Sequence, residues 1–132
     1  MNRVVARYLD NRVVKGLAFD FGPAKESVHL ADPDDRKKVT EIPTSELKAL
    51  FFVKSFAGNP DHQDAEFSRE SLQMARGLKI KVTFLDDEVI CGTTNGYSAS
   101  RPGFFVELAD TAGNNIRVYV YTAATRSVET WR

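Results

Sequence analysis

The chain has few of the residues on which chemistry usually rests. It has one cysteine, Cys91, among 132 residues. A single thiol forms no internal disulfide and supplies no ordinary structural zinc site, and its place in an apolar strand pattern reads as a small buried hydrophobe. There are two histidines, His29 and His62. His29 falls between Val28 and Leu30 on the opposite face of a strand, where a solvated or interface histidine is the ordinary reading. His62 lies in the polar stretch Asp61-His62-Gln63-Asp64, which reads as a solvated loop. Glycine-rich phosphate loops and a nucleophile elbow are absent. The sequence therefore offers no catalytic residue, metal ligand or cofactor site. No excess of charge is present either: 18 basic residues balance 18 acidic ones. A chain that neutralises many phosphates usually carries a basic surplus, so nucleic acid is disfavoured as a partner. No apolar run reaches the roughly 18 residues of a membrane span. The start, Met1-Asn2-Arg3, lacks the layout of a signal peptide, and the expected location is the cytoplasm.

What is present is a repeated pattern. Val4 to Gly16 aligns with Ile80 to Gly92 at an offset of 76 (80 − 4). Leu30-Ala31-Asp32 aligns with Leu108-Ala109-Asp110 at 78 (108 − 30), and Thr44, Lys48 and Leu50 meet Thr122, Arg126 and Val128 at the same 78. Each copy is about fifty residues, near the lower limit for an independent core, so the two are expected to share a core or pack on each other.

Within each copy the apolar residues alternate, as in strands. Asp10-Asn11 and Asp86-Asp87 read as hairpin turns, since Asp and Asn tolerate positive φ. Asp32-Pro33-Asp34-Asp35 reads as a turn, and so does the stretch from Asp110 to Asn115. Pro43-Thr44-Ser45-Glu46 and Thr122 to Thr125 predict tight or 3₁₀ turns before the last strand of each copy. Gly16 and Gly92 fall mid-strand, which marks a bend, a bulge or close backbone approach. The expected layout is a first repeat over 1–54, a linker over 55–77 and a second repeat over 78–132. Ser68 to Gly77 has the signals of a short helix, with Ser68 as its cap and Gly77 just past its end.

Leu9-Asp10-Asn11-Arg12, Gly16 to Asp20 and Val28 to Asp32, with their counterparts Leu85 to Glu88, Gly92 and Val106 to Asp110, resemble the Sm-like fold, a kind of SH3-like small barrel. The tandem arrangement with its Gly-Tyr and Arg-Pro-Gly-Phe-Phe wording also resembles an uncharacterised bacterial domain family. The resemblance implies an all-β protein of two tandem five-stranded small barrels with the short helix between them. It does not bring RNA recognition with it. Ser27 and Gly103 stand near the position of the base-binding Asn of Sm-like proteins, and neither final turn has their Arg-Gly.

The most distinctive surface candidate is the loop from Tyr97 to Phe105. Arg101 suits a carboxylate or phosphate, Ser98 and Ser100 offer hydrogen bonds, and Tyr97, Phe104 and Phe105 offer apolar contact. Ser98 to Gly103 has the spacing of a serine motif in PilZ domains, which bind cyclic dinucleotides, but lacks its acidic or amide first residue and its partner arginine motif. Adjacent aromatics in a strand face opposite ways, so Phe51-Phe52 and Phe104-Phe105 cannot each lie in one core. One member of each pair is expected to pack between the copies or against another molecule. These features favour a non-catalytic interaction module engaging protein. Sm-like RNA binding and cyclic-dinucleotide binding are the alternatives, and the strand edges also invite pairing with a second copy.

Overall fold

A computed structural model describes residues 2–22, 25–54, 56, 78–108 and 115–132. The expected helix over 68–77 and residues 110–114 of the expected turn from Asp110 to Asn115 lie outside the described residues; Asn115 itself begins a strand. The described residues form ten strands: β1 (Asn2–Tyr8), β2 (Val13–Ala18), β3 (Ser27–Ala31), β4 (Val39–Pro43), β5 (Leu47–Val53), β6 (Leu78–Phe84), β7 (Val89–Thr94), β8 (Gly103–Leu108), β9 (Asn115–Tyr121) and β10 (Thr125–Trp131). Single 3₁₀ turns, Thr44–Glu46 and Thr122–Ala124, precede β5 and β10. The protein is all-β. Its strands form one open antiparallel sheet in the order β10-β6-β7-β8-β9-β5-β1-β2-β3-β4.

The two hairpin turns form as their residues dictate. Asn11 and Asp87 have φ of 72° and 70°. Asp10 Oδ1 accepts the Arg12 N–H at 3.1 Å, and Asp86 Oδ1 accepts the Glu88 N–H at 3.1 Å. The mid-strand glycines allow close approach of β2 to β3 and of β7 to β8. A Cβ on Gly16 would stand 2.7 Å from Leu30 Cβ, and one on Gly92 would overlap the Glu107 carbonyl oxygen.

Pairings in residues 2–53 recur in 78–131. Val4 faces Gly16 as Ile80 faces Gly92. Leu9 N–H donates to Glu46 O as Leu85 N–H donates to Ala124 O, and Thr44 N–H donates to Glu26 O as Thr122 N–H donates to Pro102 O. The ladders correct one alignment. Leu17 faces Ala31 while Thr93 faces Glu107, so β3 and β8 correspond at 76 (107 − 31), not 78. Leu108 faces Gly92 and thus takes the place of Asp32, whereas buried Leu30 corresponds to buried Val106. The two added residues enter between the third and fourth strands. The words Leu-Ala-Asp match by letter, but face alternation sets the register.

The halves meet where β5 pairs with β9. All seven residues of β5 are buried. Leu50 and Phe52 join one core cluster with Val4, Ala6, Val28, Leu30 and Ile42. Ala49, Phe51 and Val53 join the other with Ile80, Val82, Phe84, Val106 and Val118. Strand β9 alternates the same way: Tyr119 and Tyr121 enter the first cluster, Val118 and Val120 the second. The sheet thus buries one face in its first half and the opposite face in its second. The aromatic pairs divide as expected, Phe51 from Phe52, and Phe104 in the second cluster from Phe105 against the first.

Candidate functional site

At the loop that leads into β8, the chain encloses an open cavity of about 550 Å³. Thr94, Asn95, Gly96, Arg101, Pro102, Phe105, Glu107 and Tyr119 line it; Arg101, Pro102 and Glu107 are exposed, and Tyr119 is buried. Several bonds fix this shape. Buried Thr94 donates its hydroxyl to Phe105 O at 2.8 Å and accepts the Gly96 N–H at 3.3 Å. Thr122 Oγ1 donates to Arg101 O at 2.8 Å, which ties the loop to the turn before β10. Gly103 lies directly under the Tyr119 ring, where a Cβ would overlap it.

The structure separates the candidate residues. Arg101 and Phe105 line the cavity together with Phe104. Phe104 is buried in the second core, and Tyr97 packs edge-on against it at 4.8 Å. Ser98 and Ser100 bond each other through their hydroxyls at 2.7 Å and shape the turn that Arg101 N–H closes onto Ser98 O. Arg101 is exposed, and its guanidinium has no ion-pair partner among the described residues. Thr94, Asn95, Glu107 and Tyr119 are not legible as site residues in the sequence. Asn95-Gly96 signals a turn, but nothing in the local wording brings Tyr119 to it.

Burial pushes the Tyr119 phenol above its ordinary pKa, against the opposing charge of Arg101. Tyr119 itself is almost fully buried. Its ring belongs to an aromatic layer with Phe105 at 4.9 Å and Phe21 at 5.0 Å. Arg117 caps this layer, 4.5 Å from the Phe105 ring centre and 4.9 Å from that of Phe52. Such contacts brace the aromatic side of the cavity.

In the first half the equivalent position is filled. Phe105 corresponds to His29 (105 − 76), Tyr119 to Glu41 (119 − 78) and Gly96 to Asp20 (96 − 76). His29 Nδ1 lies 2.5 Å from Asp20 Oδ2, and Nε2 lies 2.9 Å from Glu41 Oε2. Hydrogen bonds to Asp20 and then to Glu41 raise the His29 pKa. Burial pushes Asp20 up, but the backbone and ring N–H of His29 outweigh it and hold the carboxyl below its ordinary value. Both ring nitrogens are occupied, so His29 is a bridge between two carboxylates, not a free base.

The model of a family of unknown function, DUF6982, matches residues 1–131. The chain belongs to that family. No curated protein and no solved structure matches it. Among the described residues, no helix is long and apolar enough to cross a membrane.

Proposed function

We propose that this protein is a non-catalytic interaction module of a bacterial cytoplasm and that the cavity beside Arg101 takes a segment of a partner protein. The observation that carries this reading is the presence of both Arg101 and Glu107 in the lining of one cavity with Phe105 and Tyr119. Arg101 suits a carboxylate. Glu107 repels a polyphosphate but accepts from a peptide N–H, and Phe105 and Tyr119 offer apolar contact. This combination favours a peptide carrying both acidic and aromatic residues over RNA or a cyclic dinucleotide. The mutual bond of Ser98 and Ser100 also spends one of their two hydroxyl protons, which leaves one to donate to a phosphate. The single buried thiol fits a reducing compartment.

The recurrence of pairings at offsets of 76 and 78 supports an origin in one duplicated five-stranded unit. The strand order β5-β1-β2-β3-β4, repeated as β10-β6-β7-β8-β9, supports a small-barrel architecture of the SH3-like or Sm-like kind for each unit.

The test is an amide NMR titration with the peptide acetyl-Glu-Phe-Asp-Phe-Glu-amide, with oligouridylate and cyclic di-GMP as parallel probes. The peptide is expected to shift the resonances of 94–105 and Tyr119 saturably, and Arg101→Ala is expected to abolish the shifts. No peptide response, or a saturable response at this cavity to either nucleotide probe, overturns the proposal.

A further inference from the structure

The β5–β9 joint shows what each kind of edge needs in order to pair. One edge is the last strand of the first half, β5. The other is the fourth strand of the second half, β9. The sheet ends on the other member of each kind, β4 and β10. Joining β10 of one molecule to β4 of another would repeat the same joint, without closing a pair. Substituting equivalent residues shows what that contact would contain.

In the existing joint, Phe51 from β5 enters the core of the second half, and Tyr119 from β9 enters the core of the first. The equivalent of Phe51 on β10 is Glu129 (51 + 78), and the equivalent of Tyr119 on β4 is Glu41 (119 − 78). Both are exposed. A repeat of the joint would send Glu129 into an apolar core without a partner, and Glu41 into one with only His29 beside it, which is unfavourable for both carboxylates.

The ionic brace also loses one of its attractions to a repulsion. Across the existing joint, Lys48 Nζ lies 2.8 Å from both Asp86 Oδ2 and Glu88 Oε2, and Arg7 Nη1 lies 3.2 Å from Glu88 Oε1. Their equivalents are Arg126 for Lys48 (48 + 78), Asp10 for Asp86 (86 − 76), Arg12 for Glu88 (88 − 76) and Thr83 for Arg7 (7 + 76). The Lys48–Glu88 attraction becomes Arg126 against Arg12, two cations. Those arginines are engaged within their own half, Arg12 with Asp10 and Arg126 with Asp87.

Strand β4 has one more obstacle. Thr44 N–H donates to Glu26 O towards β3, so by the alternation of an antiparallel ladder Pro43, the preceding residue, turns its nitrogen to the open edge. Proline has no N–H to offer there.

We propose that β4 and β10 are complementary edges for a second copy of this chain, and that Glu41, Glu129 and the Arg12–Arg126 pair keep them apart, so that the molecule stays a monomer of two halves. The residues that unite the halves are changed, position by position, into residues that prevent further extension.

The test uses two different variants of the full chain. One carries Glu129→Phe. The other carries Glu41→Tyr with Arg12→Glu. In sedimentation velocity at roughly 100 μM, the wild type and each variant alone are expected to run as monomers. Their mixture is expected to give a one-to-one complex. Circular dichroism confirms that each is folded. A gentler pair, Glu129→Val and Glu41→Val with Arg12→Glu, serves if either variant fails to fold, with the same expected result. A wild-type chain that already oligomerises through these edges overturns the proposal. So does self-association of a single variant, since an exposed apolar residue would then suffice. Folded variants that remain monomeric when mixed also overturn it and leave the edges to a strand of another protein.

Discussion

Lys48 Nζ lies 2.8 Å from Glu88 Oε2, across 40 residues of chain and across the junction of the two halves. The Lys48 side chain is only 6% exposed, while Asp86 and Glu88 are 39% and 36% exposed. The ammonium also lies 4.6 Å from the centre of the Phe84 ring. The cation is thus the buried member of the cluster, and the two sides of the clamp respond differently to substitution.

Removing the acids leaves a buried ammonium with no counter-charge. Asp86→Asn with Glu88→Gln is expected to destabilise the fold by about 3 kcal/mol, whereas Lys48→Met, which leaves solvated carboxylates, costs about 1 kcal/mol. Urea denaturation of the three proteins measures this. The hydrogen bond from Lys48 holds the Asp86 carboxyl below its ordinary 3.8. Its contribution is therefore present above that value and lost as the pH falls through the lowered one. Equal losses for the two variants would mean that the clamp is solvated on both sides.

His29 gives the opposite sign. Its pKa is raised from 6.5 by the hydrogen bonds to Asp20 and Glu41. Its contribution is fully present below 6.5 and disappears as the pH rises through the raised folded value. The melting temperature is expected to fall over that window in the wild type, and this component is expected to vanish in His29→Asn. An imidazole NMR titration that shows no upward displacement would sink the idea.

Phe51 belongs by sequence to the first half and by packing to the second. Phe51→Ala is expected to cost about 3–5 kcal/mol. Amide exchange is expected to accelerate in β6 and β8 as well as in β1. Acceleration confined to β1 and β2 would show that the halves are energetically independent.

The glycines should rank by the space behind them. Gly92→Ala drives a methyl into the Glu107 carbonyl and is expected to cost about 3 kcal/mol. Gly16→Ala meets the Leu30 side chain first and is expected to cost about 1 kcal/mol. No atom lies within 4 Å of a Cβ on Gly96, so Gly96→Ala should change stability by less than about 0.5 kcal/mol. Thermal melts that reverse this order would contradict the described packing of β7 on β8.

Cys91 is buried, and burial pushes its thiol pKa upward. Its reaction with a disulfide reagent should be orders of magnitude slower in the native protein than in urea. Native and unfolded rates that agree would place the thiol at the surface.

Local chemistry made much of this fold readable. The Asp10-Asn11 and Asp86-Asp87 turns, the alternating strands and the division of Phe51 from Phe52 follow from φ preferences and from the two-residue period of a strand, which act within a few residues. That period also required adjacent aromatics to serve different cores. Tertiary structure decided which edges join. The β5–β9 pairing, the Lys48 clamp and the placing of Tyr119 under the Arg101 loop depend on contacts between residues tens of positions apart, and no local propensity encodes those distances. It also decided that β3 and β8 correspond at 76, because the faces that must be buried outweigh a coincidence of letters.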